Sequence, residues 1–98
     1  MAAYLVVDIQ IRDSARFEEY RKLVPATIAK YGGKYLVRGG SFEVLEGDWQ
    51  PRRVVILEFP SVAEAKRWYD SEDYRGPKAV RQAAAASNVV LVEGAAPA

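Results

Sequence analysis

The chain has 98 residues, a length that fits a single domain, and half of these residues are hydrophobic, which excludes a disordered chain. Fourteen basic residues against thirteen acidic ones leave a formal net charge of +1, which gives no general electrostatic reason to bind nucleic acid or an anionic membrane. Cysteine and histidine are both absent, which excludes disulfides, thiolate or histidine catalysis, histidine-ligated haem and the usual zinc sites.

The first half of the chain predicts a strand, a helix and a second strand. Residues 4–11 form the strand, because every second residue from Leu5 onward is apolar. Asp13 or Ser14 then caps a helix that ends at Gly32-Gly33. Pro25 should kink this helix. The apolar stripe of the helix consists of Phe17, Tyr20, Val24, Ile28 and Tyr31. The second strand covers residues 34–38 and resumes over residues 41–45, after a bulge at Gly39-Gly40.

The second half predicts two more strands and two helical segments. A turn at residues 47–51 precedes a third strand over residues 52–59. Ser61 and Glu64 form a capping box for the next helix. A further helix is expected to begin near Pro77 and to run to about residue 86, before a last strand over residues 88–93. We expect one domain over residues 1–98, with an ordered core over about residues 3–94 and a flexible tail over residues 95–98.

The predicted order β-α-β-β-α-β is that of a ferredoxin-like α+β sandwich, with helices on one face of a four-stranded antiparallel sheet. The wholly apolar alternate positions belong beneath the helices. The opposite face is then expected to carry Asp8, Arg38, Glu58 and Glu93 beside seven apolar side chains, namely Tyr4, Val6, Leu36, Val54, Ile56, Val89 and Leu91. A soluble monomer rarely exposes so large an apolar patch. We therefore predict a homodimer in which a second copy covers this face, sheet against sheet.

Four segments of the sequence resemble the domain-of-unknown-function 1330 family. They read YGGKYLVRGG (residues 31–40), LEGDW (45–49), LEFPS (57–61) and WYDSEDY (68–74), followed by Arg81. The resemblance runs from about residue 4 to residue 94 and implies a member of the dimeric α/β-barrel superfamily, in which two sheets form one barrel. The family carries no assigned activity. Related dimeric barrels include cofactor-independent monooxygenases, isomerases and haem enzymes, and the lack of histidine excludes the haem and histidine-dependent branches here.

Asp8, Arg38 and Glu58 are the candidate catalytic residues. The third strand of this topology lies between the first and the second, so the three side chains are expected to meet, with Arg38 opposite Glu58. A carboxylate beside a guanidinium group can act as a base or orient an acidic substrate. A structural ion-pair network at the dimer interface would use the same residues.

Four further residues are candidate ligand-binding residues. Tyr74 and Arg81 are candidates to bind an anionic or aromatic ligand at one end of the barrel, and the alternative is that Tyr74 packs while Arg81 caps a carbonyl or a carboxylate. Ser71 could donate to a ligand or cap the following turn. Trp49, in a turn, fits either a pocket mouth or a contact with the partner subunit.

The sequence leaves two functions open. One is a small-molecule enzyme or ligand-binding protein without metal or cofactor, with Asp8 or Glu58 as base and Arg38 or Arg81 as anion anchor. The alternative is a non-catalytic dimeric scaffold or interaction module, which predicts a filled interior and fully paired charges. RNA binding is disfavoured, because the third strand lacks the aromatic residues of an RNA-stacking platform.

The start of the chain does not resemble a signal peptide, because it lacks a basic region and Asp8 interrupts its apolar residues. No apolar run approaches the roughly 20 residues that span a bilayer. The sequence therefore predicts a cytoplasmic protein without a membrane partner.

Overall fold

The computed structural model describes residues 1–96 and contains one four-stranded antiparallel sheet with three helices. The elements in chain order are β1 (Ala3–Ile11), α1 (Ser14–Lys30), β2 (Lys34–Arg38), β3 (Val54–Phe59), α2 (Val62–Tyr69), α3 (Glu72–Ala84) and β4 (Ala85–Glu93). The strands lie in the order β2-β3-β1-β4. The predicted α+β arrangement is confirmed, and residues 97 and 98 of the predicted tail lie outside the described residues.

Both ends of α1 follow from local sequence. The Asp13 side chain caps the first turn by accepting a hydrogen bond from the backbone N–H of Arg16 at 3.2 Å. Pro25 lies inside the helix, which continues past it to Lys30. Gly32 then adopts a φ of +78°, a left-handed conformation that glycine reaches without a Cβ clash. This turn directs the chain from α1 into β2.

The core lies between the helices and one face of the sheet, which we call the covered face. Leu5, Val7, Ile9, Val55 and Leu57 on this face pack against buried side chains of the three helices. The helices contribute Phe17, Tyr20, Val24, Ile28, Ala65, Trp68, Tyr74 and Ala84. Within this layer the Trp68 and Tyr74 rings stack with their centroids 4.0 Å apart, which fixes α2 against α3.

Three predicted boundaries are wrong. Residues 41–45 are not a strand but part of an exposed loop over residues 39–53, closed by a hydrogen bond from Gly39 N to Val54 O at 2.9 Å. The last helix begins at Glu72, because Ser71 caps it and its first turn is acidic, and these are stronger start signals than Pro77. Finally, β4 begins at Ala85, directly after α3.

The other face of the sheet, which we call the open face, is not covered by any element of the described residues 1–96. The side chains of Tyr4, Val6, Val54 and Ile56 on this face are half-buried by their neighbours in the sheet. On β4, the prediction that Val89 and Leu91 lie here is wrong, because they pair with Val7 and Leu5 and pack against the core. Their neighbours Val90 and Val92 lie on the open face instead, 55% and 45% exposed. The open face is therefore apolar, as predicted, with Val90 and Val92 in place of Val89 and Leu91 on β4.

No helix within residues 1–96 has the length and apolar character needed to cross a membrane.

Candidate functional site

The structure does not bring Asp8, Arg38 and Glu58 together. β2 carries its bulge between Tyr35 and Val37 rather than at Gly39-Gly40, so Arg38 pairs with Val55 and not with Glu58. The extra residue turns Arg38 onto the covered face. Glu58 stays on the open face, where its carboxylate lies 3.4 Å from Lys34 Nζ. The predicted contact between Arg38 and Glu58 is therefore wrong.

The carboxylate of Asp8 holds the loop between β2 and β3. Its Oδ1 accepts a hydrogen bond from Arg52 N at 2.9 Å, and its Oδ2 accepts one from the indole Nε1 of Trp49 at 3.0 Å. These bonds, led by that from Arg52, outweigh desolvation and lower the pKa of Asp8 below its ordinary value of 3.8. The stabilising effect of the carboxylate is therefore complete above that value and is lost as the pH falls through the lowered pKa.

We expect Asp8→Ala to release this loop while leaving the sheet folded. Removing both acceptors, at about 1 kcal/mol for each exposed hydrogen bond, should speed hydrogen exchange at Arg52 N and Trp49 Nε1 by roughly tenfold or more. NMR at neutral pH measures the hydrogen-exchange rate at both sites. Asp48→Ala is the matched control, because Asp48 lies in the same loop and makes no hydrogen bond within residues 1–96. Unchanged exchange in the Asp8 variant would contradict this role.

A cavity opens between the covered face and the helices α1 and α3, and we call it the arginine cavity. It contains about 50 Å³ of free space, several times the roughly 15 Å³ that admits one water molecule. Its floor is apolar. The lining residues are Leu5, Val7, Ile9, Phe17, Tyr20, Arg21, Val24, Ile28, Tyr35, Arg38, Arg53, Val55, Leu57, Trp68, Tyr69, Tyr74, Arg81 and Val89.

The polar inner part of the cavity is formed by Arg81 and two tyrosines. Arg81 is only 5% exposed, and its one side-chain hydrogen bond within residues 1–96 runs from Nε to the Tyr74 hydroxyl at 3.3 Å. That hydroxyl lies 2.8 Å from the hydroxyl of Tyr20. Burial, followed by the neighbouring Tyr74, raises the pKa of Tyr20 far above its ordinary value, so this hydroxyl stays neutral and available as a hydrogen-bond donor.

The outer part of the cavity is formed by Arg38 and Arg53. The guanidinium group of Arg38 lies over the Tyr35 ring, 4.4 Å from its centroid. The Arg53 side chain packs against Gly39, where an added Cβ would come within 2.5 Å of the guanidinium group. Glycine at this position therefore leaves room for Arg53, whose Nε is buried and has no hydrogen-bond partner within residues 1–96.

The cavity is positively charged. Among residues 1–96, four arginines and no carboxylate line the cavity. Of these four, only Arg21 forms an ion pair with a residue in that range, Glu18, at 3.2 Å. Desolvation, followed by repulsion from Arg21 and Arg38, lowers the pKa of Arg53. Burying a guanidinium group without a carboxylate partner raises the free energy of the folded protein, because the protein replaces few of the group's hydrogen bonds to water. The arrangement can offset that cost by binding an anion.

The structure places two of the four predicted ligand-binding residues in this cavity, Tyr74 and Arg81. Ser71 is outside the lining and is engaged within the protein, donating from Oγ to Trp68 O at 2.7 Å and accepting from Tyr74 N at 3.1 Å. Trp49 is also outside the lining, 60% exposed beside Asp8. Among residues 1–96, no group of three His, Cys, Asp or Glu side chains is placed to hold a metal ion.

Sequence reasoning missed Tyr20, Tyr35 and Arg53 as site residues. Tyr20 was assigned to the apolar stripe of α1, which it also belongs to. Arg53 could have been found from the sequence. It lies at every second position with Val55, Leu57 and Phe59 and is the one charged residue among these four. A charged residue at a position that faces the core can indicate a cavity that the charged side chain lines.

The model of the family described as "Domain of unknown function (DUF1330)" matches residues 2–95. A comparison with curated proteins finds no match. Among solved structures, a protein of unknown function from Rhodopseudomonas palustris is 22% identical, with a TM-score of 0.79 over 98% of this chain and 84% of that one.

Two other solved structures share the fold at lower identity. One is described as a dimeric ferredoxin-like protein of unknown function from Jannaschia sp.; it is 13% identical, with a TM-score of 0.71 over 96% of this chain and all of that one. The other is a cofactor-independent oxygenase from Streptomyces nogalater, 12% identical, with a TM-score of 0.66 over 98% of this chain and 95% of that one. At these identities the likeness shows the fold alone.

Proposed function

The chain belongs to the DUF1330 family of domains of unknown function, and on that premise we propose that it is a homodimeric small-molecule-binding protein with one arginine cavity in each subunit. The observation that carries the proposal is the position of Arg81, which is 95% buried at a cavity and has no carboxylate partner within residues 1–96. A side chain of this kind is typical of a binding site.

The open face supports the homodimer. Its valines, together with Ile56 and Tyr4, form an apolar surface that one subunit leaves in water. Trp49, hydrogen-bonded to Asp8 at the edge of this face, extends it, and the same loop exposes Phe42 and Leu45. A second copy related by a two-fold axis presents the same surface and covers all of it. The dimeric description of the Jannaschia protein agrees with this assembly.

We place binding, rather than base catalysis, in the cavity. No carboxylate among residues 1–96 lines it, so a carboxylate base for proton abstraction would have to come from the substrate or from elsewhere. The predicted catalytic role of Asp8, Arg38 and Glu58 stays a prediction, as does the cytoplasmic location. The fold shared with an oxygenase does not transfer its activity.

A non-catalytic scaffold is the second candidate. It predicts a filled interior and paired charges. The free space in the cavity and the Nε of Arg53, which has no partner within residues 1–96, favour a ligand instead.

A thermal-shift screen with neutral and anionic fragments, accompanied by light scattering, tests the proposal. We expect two-chain particles and at least one fragment that raises Tm in proportion to the logarithm of its concentration. Chemical-shift mapping should then place that fragment at Tyr35, Tyr74 and Arg81. Monomeric particles, or a screen in which fragments of either charge leave Tm unchanged, would refute it.

A further inference from the structure

We infer that the ligand of the arginine cavity is a small organic carboxylate, whose carboxylate group binds between Arg38 and Arg53 while its apolar body enters the cavity. This inference rests on the proposed function and adds the chemical class of the ligand.

The first argument is charge. Arg38, Arg53 and Arg81 bring three positive charges to one cavity, and within residues 1–96 none of the three has a carboxylate partner. The overall charge of the chain is only +1, so this concentration is local and is not a consequence of composition. An anion that enters the cavity relieves the repulsion between Arg38 and Arg53 and replaces the hydration that the buried Arg81 has lost.

The second argument is the position of the outer pair. Arg38 and Arg53 both line the cavity, and the charge of Arg38 is one of those that lower the pKa of Arg53, so the two guanidinium groups are near each other. The Nε of Arg53 is a buried donor without an acceptor within residues 1–96. A guanidinium group offers parallel N–H donors whose spacing matches the two oxygens of a carboxylate. Phosphate oxygens match these donors too, so the mouth suits an oxyanion, and the limited free space favours the smaller carboxylate.

The third argument is the interior. Beyond the arginines the lining is aliphatic and aromatic, and the free space of about 50 Å³ admits only a short chain or part of a ring. A bare inorganic anion would leave this apolar space unused, whereas a large lipid would not fit. At the inner end, the hydroxyls of Tyr20 and Tyr74 with Arg81 offer a second polar contact for a hydroxyl or carbonyl group.

Isothermal titration with matched probes tests the inference. Benzoate and hexanoate are compared with benzamide and hexanamide, which have the same shapes without the charge, and with phenyl phosphate, which carries a different anion. We expect each carboxylate to bind at least tenfold more tightly than its amide and than phenyl phosphate, and to weaken with added salt.

Variants then locate the anion. Arg38→Met and Arg53→Met should each weaken benzoate binding roughly 10- to 100-fold, because each removes a charge-assisted contact. Arg38→Lys should bind benzoate more tightly than Arg38→Met but less tightly than the wild type, since lysine keeps the charge but lacks the paired N–H donors of a guanidinium group. Arg75→Met is the matched control, because Arg75 is an exposed arginine outside the lining and should leave binding unchanged. Circular dichroism confirms that each variant is folded.

The outcomes separate this inference from the proposed function. Equal binding of acid and amide, or tighter binding of the amide, overturns the carboxylate assignment but leaves a small-molecule site. Tighter binding of phenyl phosphate, or an equal loss in the Arg75 variant, also overturns it. If neither carboxylate binds while neutral fragments do, the inference fails alone. If no fragment of either charge binds, the proposed function fails with it.

Discussion

Ile56→Asp should convert the two-chain particle into folded monomers. Ile56 lies on β3, in the middle of the open face, where it pairs with Val6 on β1 and with Val37 on β2. In the proposed dimer, two aspartates would be buried near the two-fold axis without a partner, which costs several kcal/mol. We expect the dissociation constant to rise at least 100-fold, equivalent to about 3 kcal/mol. Light scattering over a dilution series measures it.

The monomer itself should tolerate this change, because the Ile56 side chain is only half-buried in a single subunit. Leu23→Asp is the control: Leu23 is 45% exposed on α1, which packs on the opposite side of the sheet, so its substitution should leave the dimer intact. Loss of the dimer in both variants would point to general destabilisation. A wild-type protein that already scatters light as one chain would show that another surface, or none, is used.

The sequence correctly predicted the strands and helices whose pattern of apolar residues fits only one secondary structure. β1 and β3 each have one wholly apolar alternation, so the side chains that face the helices could be assigned without a structure. The cap at Ser61 was also predicted, and for α1 the structure selects Asp13 over the alternative Ser14. Each capping side chain accepts a hydrogen bond from the N–H three residues on. These elements were enough to predict the fold.

The side-chain directions on β2 and β4 could not be predicted from alternation. On β4, positions 89 to 92 are all apolar, so the pairing of Val7 with Val89 decides which face each valine takes. On β2, the glycine pair suggested a bulge three residues beyond the real one. The bulge between Tyr35 and Val37 depends on how β2 fits against β3, and it places Tyr35 and Arg38 in contact on the covered face.

The candidate site was harder to predict than the fold for the same reason. Arg38 was a predicted site residue and lines the cavity, but its predicted partner was an acid on the open face, and the structure gives it an aromatic ring and a second arginine instead. A displacement of the bulge by a few residues thus changes the expected chemistry from an ion-pair network to an anion site.

Arg81→Met should leave the free protein at least as stable as the wild type while weakening its affinity for benzoate severalfold, because one of the three positive charges that attract the anion is lost. Arg81 is buried and has no carboxylate partner within residues 1–96, and replacing such a charge by an apolar side chain of similar length is often neutral or stabilising, by about 1 kcal/mol or more. The hydroxyl of Tyr74 loses the hydrogen bond from Arg81 but keeps its contact with Tyr20. Urea unfolding measures the stability, and titration measures the affinity.

This combination distinguishes a binding residue from a structural one. If Arg81 serves mainly to orient Tyr74, its replacement should lower the free energy of unfolding by about 2 kcal/mol, as removal of one partner of a buried hydrogen bond does. Arg75→Met, on the exposed side of the same helix, fixes the baseline and should change stability by less than about 0.5 kcal/mol. A stable variant that binds benzoate more weakly means that Arg81 is retained at a cost to the free protein, as expected for a charge that contributes to attracting the ligand.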